Sequence, residues 1–175
     1  IPVYINTFNR LTTTKKLAKQ ISLLGDVSVI IVDNNSTWPP LVEWLKICEY
    51  DKILLNKNEG HHASFDCVEK NHGDFNKRWG QDFYIVTDCD LDIGDCPSDM
   101  LDIIREPLLW NQKIIKSGLS LRIDDLPDWQ TEVVKWESNW WKNKIGQYFL
   151  APIDTTFAMY NIKDYHLCKK VIGVK

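Results

Sequence analysis

The sequence predicts an α/β fold: a single domain with a mostly parallel central sheet and helices on both faces. Segments typical of strands and of helices alternate four times over residues 1–107, and this order builds parallel sheets. The run 27–32 is almost entirely apolar, as expected of a strand buried on both faces. Each of the first four predicted strands is followed directly by polar residues, and in a parallel sheet these would share one edge.

The individual elements follow from local patterns. A first helix has its apolar residues on one face and ends at Gly25. Pro39 opens a second helix, and Pro97 starts a fourth helix that Pro107 is expected to stop. The predicted strands span 1–6, 27–32, 52–55 and 82–87, and the predicted helices span 12–24, 39–48, 62–71 and 97–107. Further strands are expected over 113–123, 147–151 and 156–160, whereas the tryptophan-rich stretch between them has no clean period.

The composition is that of an ordinary globular protein, with 44% hydrophobic and 26% charged residues. A net charge of −3 argues against a nucleic-acid partner, and no apolar run is long enough to span a bilayer. The five cysteines are scattered and form no CxxC pair, which argues against zinc. An odd number of scattered cysteines favours a reducing compartment, so we expect a cytoplasmic location.

The most informative segment is 84–92, where an apolar strand pattern ends in Asp88, Asp90 and Asp92. Carboxylate oxygens at a strand end suit Mg²⁺ or Mn²⁺, and a metal held this way can neutralise a diphosphate. An EF-hand is excluded because its sixth position is Ile93 instead of glycine and its twelfth is Asp99 instead of glutamate. A solvated acidic turn remains the alternative interpretation.

Convergence of four polar clusters strengthens this interpretation, although each cluster alone is weak. The clusters are Thr7-Phe8-Asn9-Arg10, Asp33-Asn34-Asn35-Ser36, Asn56-Lys57-Asn58 and Thr87-Asp88-Cys89-Asp90. We expect Asp33 or Asn34 to bind a ribose hydroxyl or a base edge, and Arg10 and Lys57 to bind phosphate. Asp88 and Asp90 would then hold the metal. Turn chemistry explains the asparagines equally simply, and a solvated surface charge explains Arg10.

The chain contains no P-loop, no GxGxxG after its first strand and no GxSxG elbow. From residue 1 to about 160 it resembles the GT-A glycosyltransferases of the family-2-like type. The most specific parts of the resemblance are the Asp33 loop and the DxD motif Asp88-Cys89-Asp90. The resemblance implies a Rossmann-like GT-A domain, a nucleotide-diphospho-sugar donor (usually a UDP-sugar) and Mn²⁺ or Mg²⁺. It divides the domain at about residue 95 into a nucleotide-sugar half and an acceptor half.

The resemblance also implies roles for individual residues. Asp33 and Asn9 would contact the nucleoside, Asp88 would lie near the ribose or the metal, and Asp90 would bind the metal directly. The expected nucleotide-binding set is Thr7, Asn9, Arg10, Asp33, Asn34, Asn35, Lys57, Asn58 and Asp88.

The later segments 116–125 and 151–158 look like the acceptor side of these folds. A transferase of the inverting type needs a carboxylate that deprotonates the acceptor hydroxyl, and Asp154, Asp124 and Asp125 are the candidates. The family's later acidic pair is missing, so either Asp154 has this role or the base lies beyond residue 175. We expect the stretch that holds Trp129, Trp136, Trp140 and Trp141 to form a flap over the acceptor, which is a glycan or another hydroxyl compound. One or two of these rings would stack on the acceptor sugar.

Two other functions remain open. A sugar-phosphate nucleotidyltransferase would share the sheet and the acidic metal site, but the loop 7–10 lacks the glycines that such enzymes use to hold a triphosphate. A non-catalytic nucleotide- or sugar-binding module is favoured if the acceptor-side acids prove remote from the metal.

Overall fold

The computed structural model describes residues 1–70, 82–151, 153 and 156–164, which form a six-stranded sheet and a separate hairpin. The strands are β1 (Pro2–Thr7), β2 (Ser28–Asp33), β3 (Asp51–Leu54), β4 (Phe83–Asp88), β5 (Lys116–Gly118), β6 (Lys144–Ile145), β7 (Tyr148–Phe149) and β8 (Ala158–Asn161). The sheet order is β3-β2-β1-β4-β8-β5, and within the described ranges β6 pairs only with β7. The first four strands are parallel, whereas β8 is antiparallel to both of its neighbours. The predicted α/β class with a mostly parallel sheet is confirmed.

Helices cover both faces of this sheet, as predicted. The helices are α1 (Leu11–Ser22), α2 (Pro39–Ile47), α3 (Ala63–Lys70), α4 (Met100–Trp110) and α5 (Thr131–Glu137). Residues such as Val3, Ile31 and Ile85 pack on one face with α1, α2 and α4. Their neighbours along the strands, such as Tyr4 and Tyr84, pack on the other face with α3. Because side chains alternate along a strand, strands buried on both faces are apolar throughout.

The prediction that Pro107 stops the fourth helix was wrong, because Pro107 lies inside α4. A proline inside a helix has no N–H for the carbonyl four residues earlier, here that of Ile103. The hydroxyl of Tyr148 lies 3.1 Å from this carbonyl oxygen, in the place of the missing N–H, and shares its single proton between this oxygen and the carboxylate of Glu106. Pro107 itself is buried against the core. A contact from a distant part of the chain therefore compensates for the proline.

The predictions for the later segments are only partly right. The strand expected over 113–123 is reduced to β5, and the strand over 147–151 is reduced to β7. Gly118 on β5 faces β8 so closely that an added Cβ would lie 2.7 Å from the Phe157 carbonyl oxygen. The tryptophan-rich stretch, which had no clear period, forms α5 and a short 3₁₀ helix over Ser138–Trp141. Within the described residues no helix is long and apolar enough to cross a membrane.

Candidate functional site

The carboxyl ends of β1, β2 and β4 lie side by side at one edge of the sheet. Thr7 is in register with Asp33, and Asn6 is in register with Asp88. The polar clusters that follow these strands are therefore neighbours. The hydroxyl of Thr7 points into the protein, where it is buried 2.7 Å from the hydroxyl of Thr14. Thr7 thus joins β1 to α1 at the base of this edge.

Asp33 is the buried carboxylate of the edge. The residue is only 6% exposed, and among the described residues its two oxygens share a single donor, the backbone N–H of Ser36, at 3.3 and 3.2 Å. A carboxylate offers about four acceptor positions. Leaving such positions empty in a buried setting costs free energy. Asp33 therefore retains acceptor capacity for the hydroxyl or N–H groups of a ligand.

Asn9 joins the loop after β1 to the loop after β2. Its backbone is left-handed, with φ at +55°, and its side-chain oxygen accepts from the N–H groups of Thr37 and Trp38 at 2.8 and 2.7 Å. Its own N–H donates to the Ser36 hydroxyl at 2.9 Å. The oxygen predicted to contact a nucleoside is thus occupied at the start of α2. Asn35 also has a left-handed backbone, with φ at +63°, and its side chain is exposed at the rim.

Asn34 and Asn58 shape the loop that follows β3. The buried amide of Asn34 donates to the Gly60 carbonyl at 2.8 Å and accepts from the Glu59 N–H at 2.7 Å. Asn58 accepts from the Gly60 N–H at 2.8 Å, and Gly60 itself needs a positive φ of +68°. Lys57 is exposed and lies 3.3 Å from Glu59. The two amides thus order the loop, while the Lys57 ammonium faces solvent.

Arg10 and Asp90, predicted to bind phosphate and metal respectively, meet in the structure. The guanidinium Nη1 of Arg10 lies 3.0 Å from Oδ2 of Asp90, and both side chains are partly open to solvent, at 59% and 44% exposed. The two groups join the loop after β1 to the loop after β4. An exposed pair of this kind contributes only about 0.2–1 kcal/mol, so a ligand can separate it at small cost.

Asp92 fastens the loop after β4 to α1. It accepts hydrogen bonds from the ammonium of Lys16, from the side-chain amide of Gln20 at 2.6 Å and from the N–H of Gly94 at 3.1 Å. The bond from Lys16, followed by the one from Gln20, holds the pKa of this carboxyl well below its usual range. Asp92, the third acid of the motif, therefore has a structural role. Asp88 and Asp90 remain the candidate metal ligands.

Asp88 ends β4 with its side chain half-buried. Among the described residues no group of three or more histidine, cysteine, aspartate or glutamate side chains is assembled for a metal. Asp88 and Asp90 offer hard oxygen donors, and Mg²⁺ is usually held by one or two carboxylates together with substrate phosphates and water. The two acids therefore fit a partial metal shell that a diphosphate completes, provided that Asp90 leaves Arg10.

The four tryptophans predicted to contact the acceptor do not all line the same cavity. Trp140 and Trp141 line a cavity of about 520 Å³ beside β5. Trp129 and Trp136 are 78% and 64% exposed and are absent from the cavity wall. Trp136 touches Trp140 edge-on, with ring centroids 5.9 Å apart. Of the four rings, those of Trp140 and Trp141 therefore line this cavity in the described part of the chain.

The three carboxylates predicted as candidates for the catalytic base differ in their surroundings. Asp124 accepts two hydrogen bonds from Arg122, at 3.0 and 3.2 Å, and this contact lowers the pKa of the Asp124 carboxyl. Arg122 also lies 3.9 Å from Asp95, so the loop after β5 meets the loop after β4. Asp125 is exposed, and Asp154 lies outside the described residues. A lowered pKa makes Asp124 a weaker proton acceptor.

Sequence reasoning overlooked Asn6 at this edge. Its side-chain oxygen is buried with no hydrogen-bond partner in the described part of the chain, and its amide nitrogen lies 3.4 Å from the Gly60 carbonyl. Asn6 stands beside Asp88 in the sheet. An amide inside an otherwise apolar strand was the available signal, because buried polar groups are normally hydrogen-bonded.

In comparisons with known proteins, no family model matches the chain, and no curated protein has a significantly similar sequence.

Proposed function

We propose that the protein is a metal-dependent glycosyltransferase of the GT-A type, which moves a sugar from a nucleotide-diphospho-sugar to a hydroxyl acceptor. The observation that carries this proposal is the convergence of Asp33, Asp88 and the Arg10–Asp90 pair at one edge of the sheet. Ligands of open α/β sheets bind outside the carboxyl ends of the strands. A buried acceptor, a cation and two carboxylates are the groups that a nucleoside diphosphate with its metal requires.

Asp33 is assigned to the nucleoside. Its unused acceptor positions match the adjacent hydroxyls of a ribose or the N–H of a uracil ring, which makes a UDP-sugar our preferred donor. Asn9 and Asn34 hold the surrounding loops in place through their backbone contacts. They shape the nucleotide site and orient Asp33 within it.

Arg10 and Asp90 are assigned to the diphosphate and the metal. In the absence of donor they neutralise each other across 3.0 Å. With the donor bound, Arg10 would contact a phosphate oxygen with its planar fork, and Asp88 and Asp90 would hold Mn²⁺ or Mg²⁺. The bound metal supplies stabilisation of the departing diphosphate.

In the transfer step the acceptor oxygen attacks the anomeric carbon as the bond from that carbon to the diphosphate oxygen breaks. The bonding electron pair leaves with the nucleoside diphosphate. The acceptor proton passes to a carboxylate, for which Asp154 is our candidate because Arg122 holds Asp124 in a paired state. An attack from the face opposite the leaving group inverts the configuration at the anomeric carbon.

A second candidate function is a nucleotide-binding module without catalysis. The pairing of Asp124 with Arg122 favours it, because this contact removes one of the acceptor-side acids from proton transfer. Such a module would bind the nucleotide-sugar at the same edge of the sheet, the donor edge formed by Asp33, Asp88 and the Arg10–Asp90 pair. It would leave the sugar attached to the nucleotide.

The test is an incubation of the protein with a panel of UDP-, GDP- and dTDP-sugars, with and without Mn²⁺, after a thermal-shift screen has identified the nucleotide that stabilises it. We expect slow, metal-dependent release of free UDP by hydrolysis. Asp90→Asn should abolish this release, whereas Asp95→Asn, which removes an exposed acid of the same loop, should not. Binding without UDP release identifies the module, and consumption of pyrophosphate identifies a nucleotidyltransferase.

A further inference from the structure

A cavity of about 520 Å³ lies beside β5, between the end of α4 and the β6–β7 hairpin. Its wall is mostly apolar and includes the aromatic residues Trp110, Trp140, Trp141, Tyr148 and Phe149. This volume falls within the range of sites that hold a small molecule, and such sites are mainly apolar with a few polar groups. The cavity is separated from β4 and its carboxylates by β8, so it is distinct from the donor edge.

The walls of the cavity are preformed. Trp110 packs against Tyr148 with ring centroids 5.8 Å apart, and Trp141 packs against Phe149 at 5.2 Å. The hydroxyl of Tyr148 reaches both the Ile103 carbonyl and the carboxylate of Glu106, which fastens the hairpin to α4. The aliphatic side chains of Ile114, Leu150 and Ile153 complete the apolar wall beside these rings. A wall of mixed aromatic and aliphatic side chains accommodates an alkyl chain.

The rim of the cavity exposes apolar surface to water. Trp110, Ile145 and Leu150 are 53%, 50% and 60% exposed, and all three line the cavity. A contiguous exposed apolar patch around a concave surface is typical of a binding site. Part of this surface would leave water when an apolar ligand enters.

The charged residues of the cavity wall indicate which kind of apolar ligand the cavity would prefer. Lys113 and Lys116 line the cavity, and no carboxylate does so among the residues that the structure describes. The ammonium of Lys116 donates to the Ile153 carbonyl. The exposed ammonium of Lys113 makes no ion pair within the described ranges. The cavity therefore combines an apolar interior with positive charge, which complements an apolar chain that ends in an anion.

We propose that this cavity binds an amphiphilic anion, a molecule with a flexible apolar chain and one carboxylate or phosphate head. The chain occupies the space between the aromatic walls, and the head lies at Lys113. This assignment goes beyond the transferase proposal and does not depend on it, because none of the residues involved belongs to the donor edge.

The first experiment is a titration followed by tryptophan fluorescence, with decyl phosphate as the probe below its micellar concentration. Binding should be saturable with one molecule per chain. Decanoate should bind comparably, decanol at least fivefold more weakly, and decyltrimethylammonium more weakly still. Inorganic phosphate alone should have no effect. Absence of saturable binding overturns the proposal, and so does equal affinity for the anionic and the cationic amphiphile.

Calorimetry on substituted proteins then locates the binding site. This method does not depend on tryptophan fluorescence, so tryptophans can be replaced. Trp110→Ala should weaken decyl phosphate at least tenfold. Trp129→Ala is the matched control, since this ring is 78% exposed and does not line the cavity. Equal effects of the two substitutions would place the probe elsewhere and refute the assignment. Ser120→Trp, which fills the cavity from its rim, provides a second test if Trp110→Ala does not fold.

The charge is tested separately. Lys113→Gln should weaken decyl phosphate about fivefold and leave decanol unchanged. Lys144→Gln removes a lysine on β6 that does not line the cavity, and it should change neither affinity. If Lys113→Gln leaves the affinity for decyl phosphate intact, the head does not lie at Lys113 and the proposal fails.

Discussion

The part of the molecule built on β1 to β4 and the part that follows residue 95 are stabilised in different ways. In the first part, residues such as Ile5, Ile31 and Ile85 are fully buried between two layers of helices. In the second part, α4 and β8 pack into this same core, but α5 has no buried residue and both residues of β6 are exposed. Exposed elements of this size depend on a few specific contacts, such as the hydroxyl of Tyr148 on α4. The packed core therefore supports the donor edge, whereas the wall of the aromatic cavity is held by a few specific contacts such as that of Tyr148.

The largest expected difference between the two parts is in stability. Ile31→Ala in β2 should lower the free energy of unfolding by about 2–5 kcal/mol, the range for a large-to-small change in a packed core. Ile145→Ala in β6, at a residue that is 50% exposed, should change it by less than about 0.5 kcal/mol. Urea unfolding measures both. Similar losses of unfolding free energy in the two variants would show that the two parts are equally well packed, which would contradict the difference described above.

The next largest effect concerns ligand binding at the rigid edge. Asp33→Asn should weaken UDP binding by about 1–3 kcal/mol, because a hydrogen bond to a charged acceptor is lost. Calorimetry at fixed Mn²⁺ concentration gives the affinity. Asp95→Asn serves as the control, since this side chain is 97% exposed and lies on the loop after β4. Unchanged UDP affinity in a folded Asp33→Asn protein would remove Asp33 from the nucleotide site.

A smaller effect is expected at the Arg10–Asp90 pair. Arg10→Gln should strengthen the binding of Mn²⁺ alone by about 1.4-fold to fivefold, which corresponds to the 0.2–1 kcal/mol of an exposed ion pair. The same change should weaken UDP, because a phosphate ligand is lost. Lys15→Gln, a change of equal charge on α1 at an exposed residue, is the control. Parallel weakening of Mn²⁺ and UDP would contradict the exchange that we propose.

The smallest expected effect is on the stability of the fold at acidic pH. The pKa of Asp92 is lowered in the folded state, so its contacts stabilise the fold above the unfolded pKa of about 3.9 and lose that contribution as the pH falls below it. Asp92→Asn should therefore lower the melting temperature at pH 7 slightly and have less effect at pH 2.5. Asp128→Asn, at an exposed residue, should have no such pH-dependent effect. A constant difference for Asp92→Asn across this range would refute the role of its charge.

The sequence predicted the first part well because its signals are long and mutually consistent. All four parallel strands lie within one residue of their expected positions. The convergence of Asp33, Asp88 and Asp90 followed from strand polarity alone. What could not be predicted is which polar atoms are already occupied. The amides of Asn9 and Asn34 bind backbone groups from 25 to 29 residues away, and no local pattern reveals such partners.

The second part was predicted poorly for the same physical reason. Pro107 is tolerated inside α4 because a hydroxyl 45 residues away along the chain lies at the Ile103 carbonyl. β5 ends after three residues where Gly118 approaches Phe157, whose buried backbone has a positive φ of +43°. In both cases a tertiary contact decides the outcome.

The order of strands also determines how the sheet meets other molecules. Its two outermost strands are β3 and β5. β3 exposes the charged residues Asp51 and Lys52, and β5 is only three residues long. Short strands and charged side chains at the margin of a sheet discourage another chain from pairing with its free backbone groups. The apolar parallel core is thereby protected from self-association, and substitutions that neutralise β3 or lengthen β5 would remove that protection.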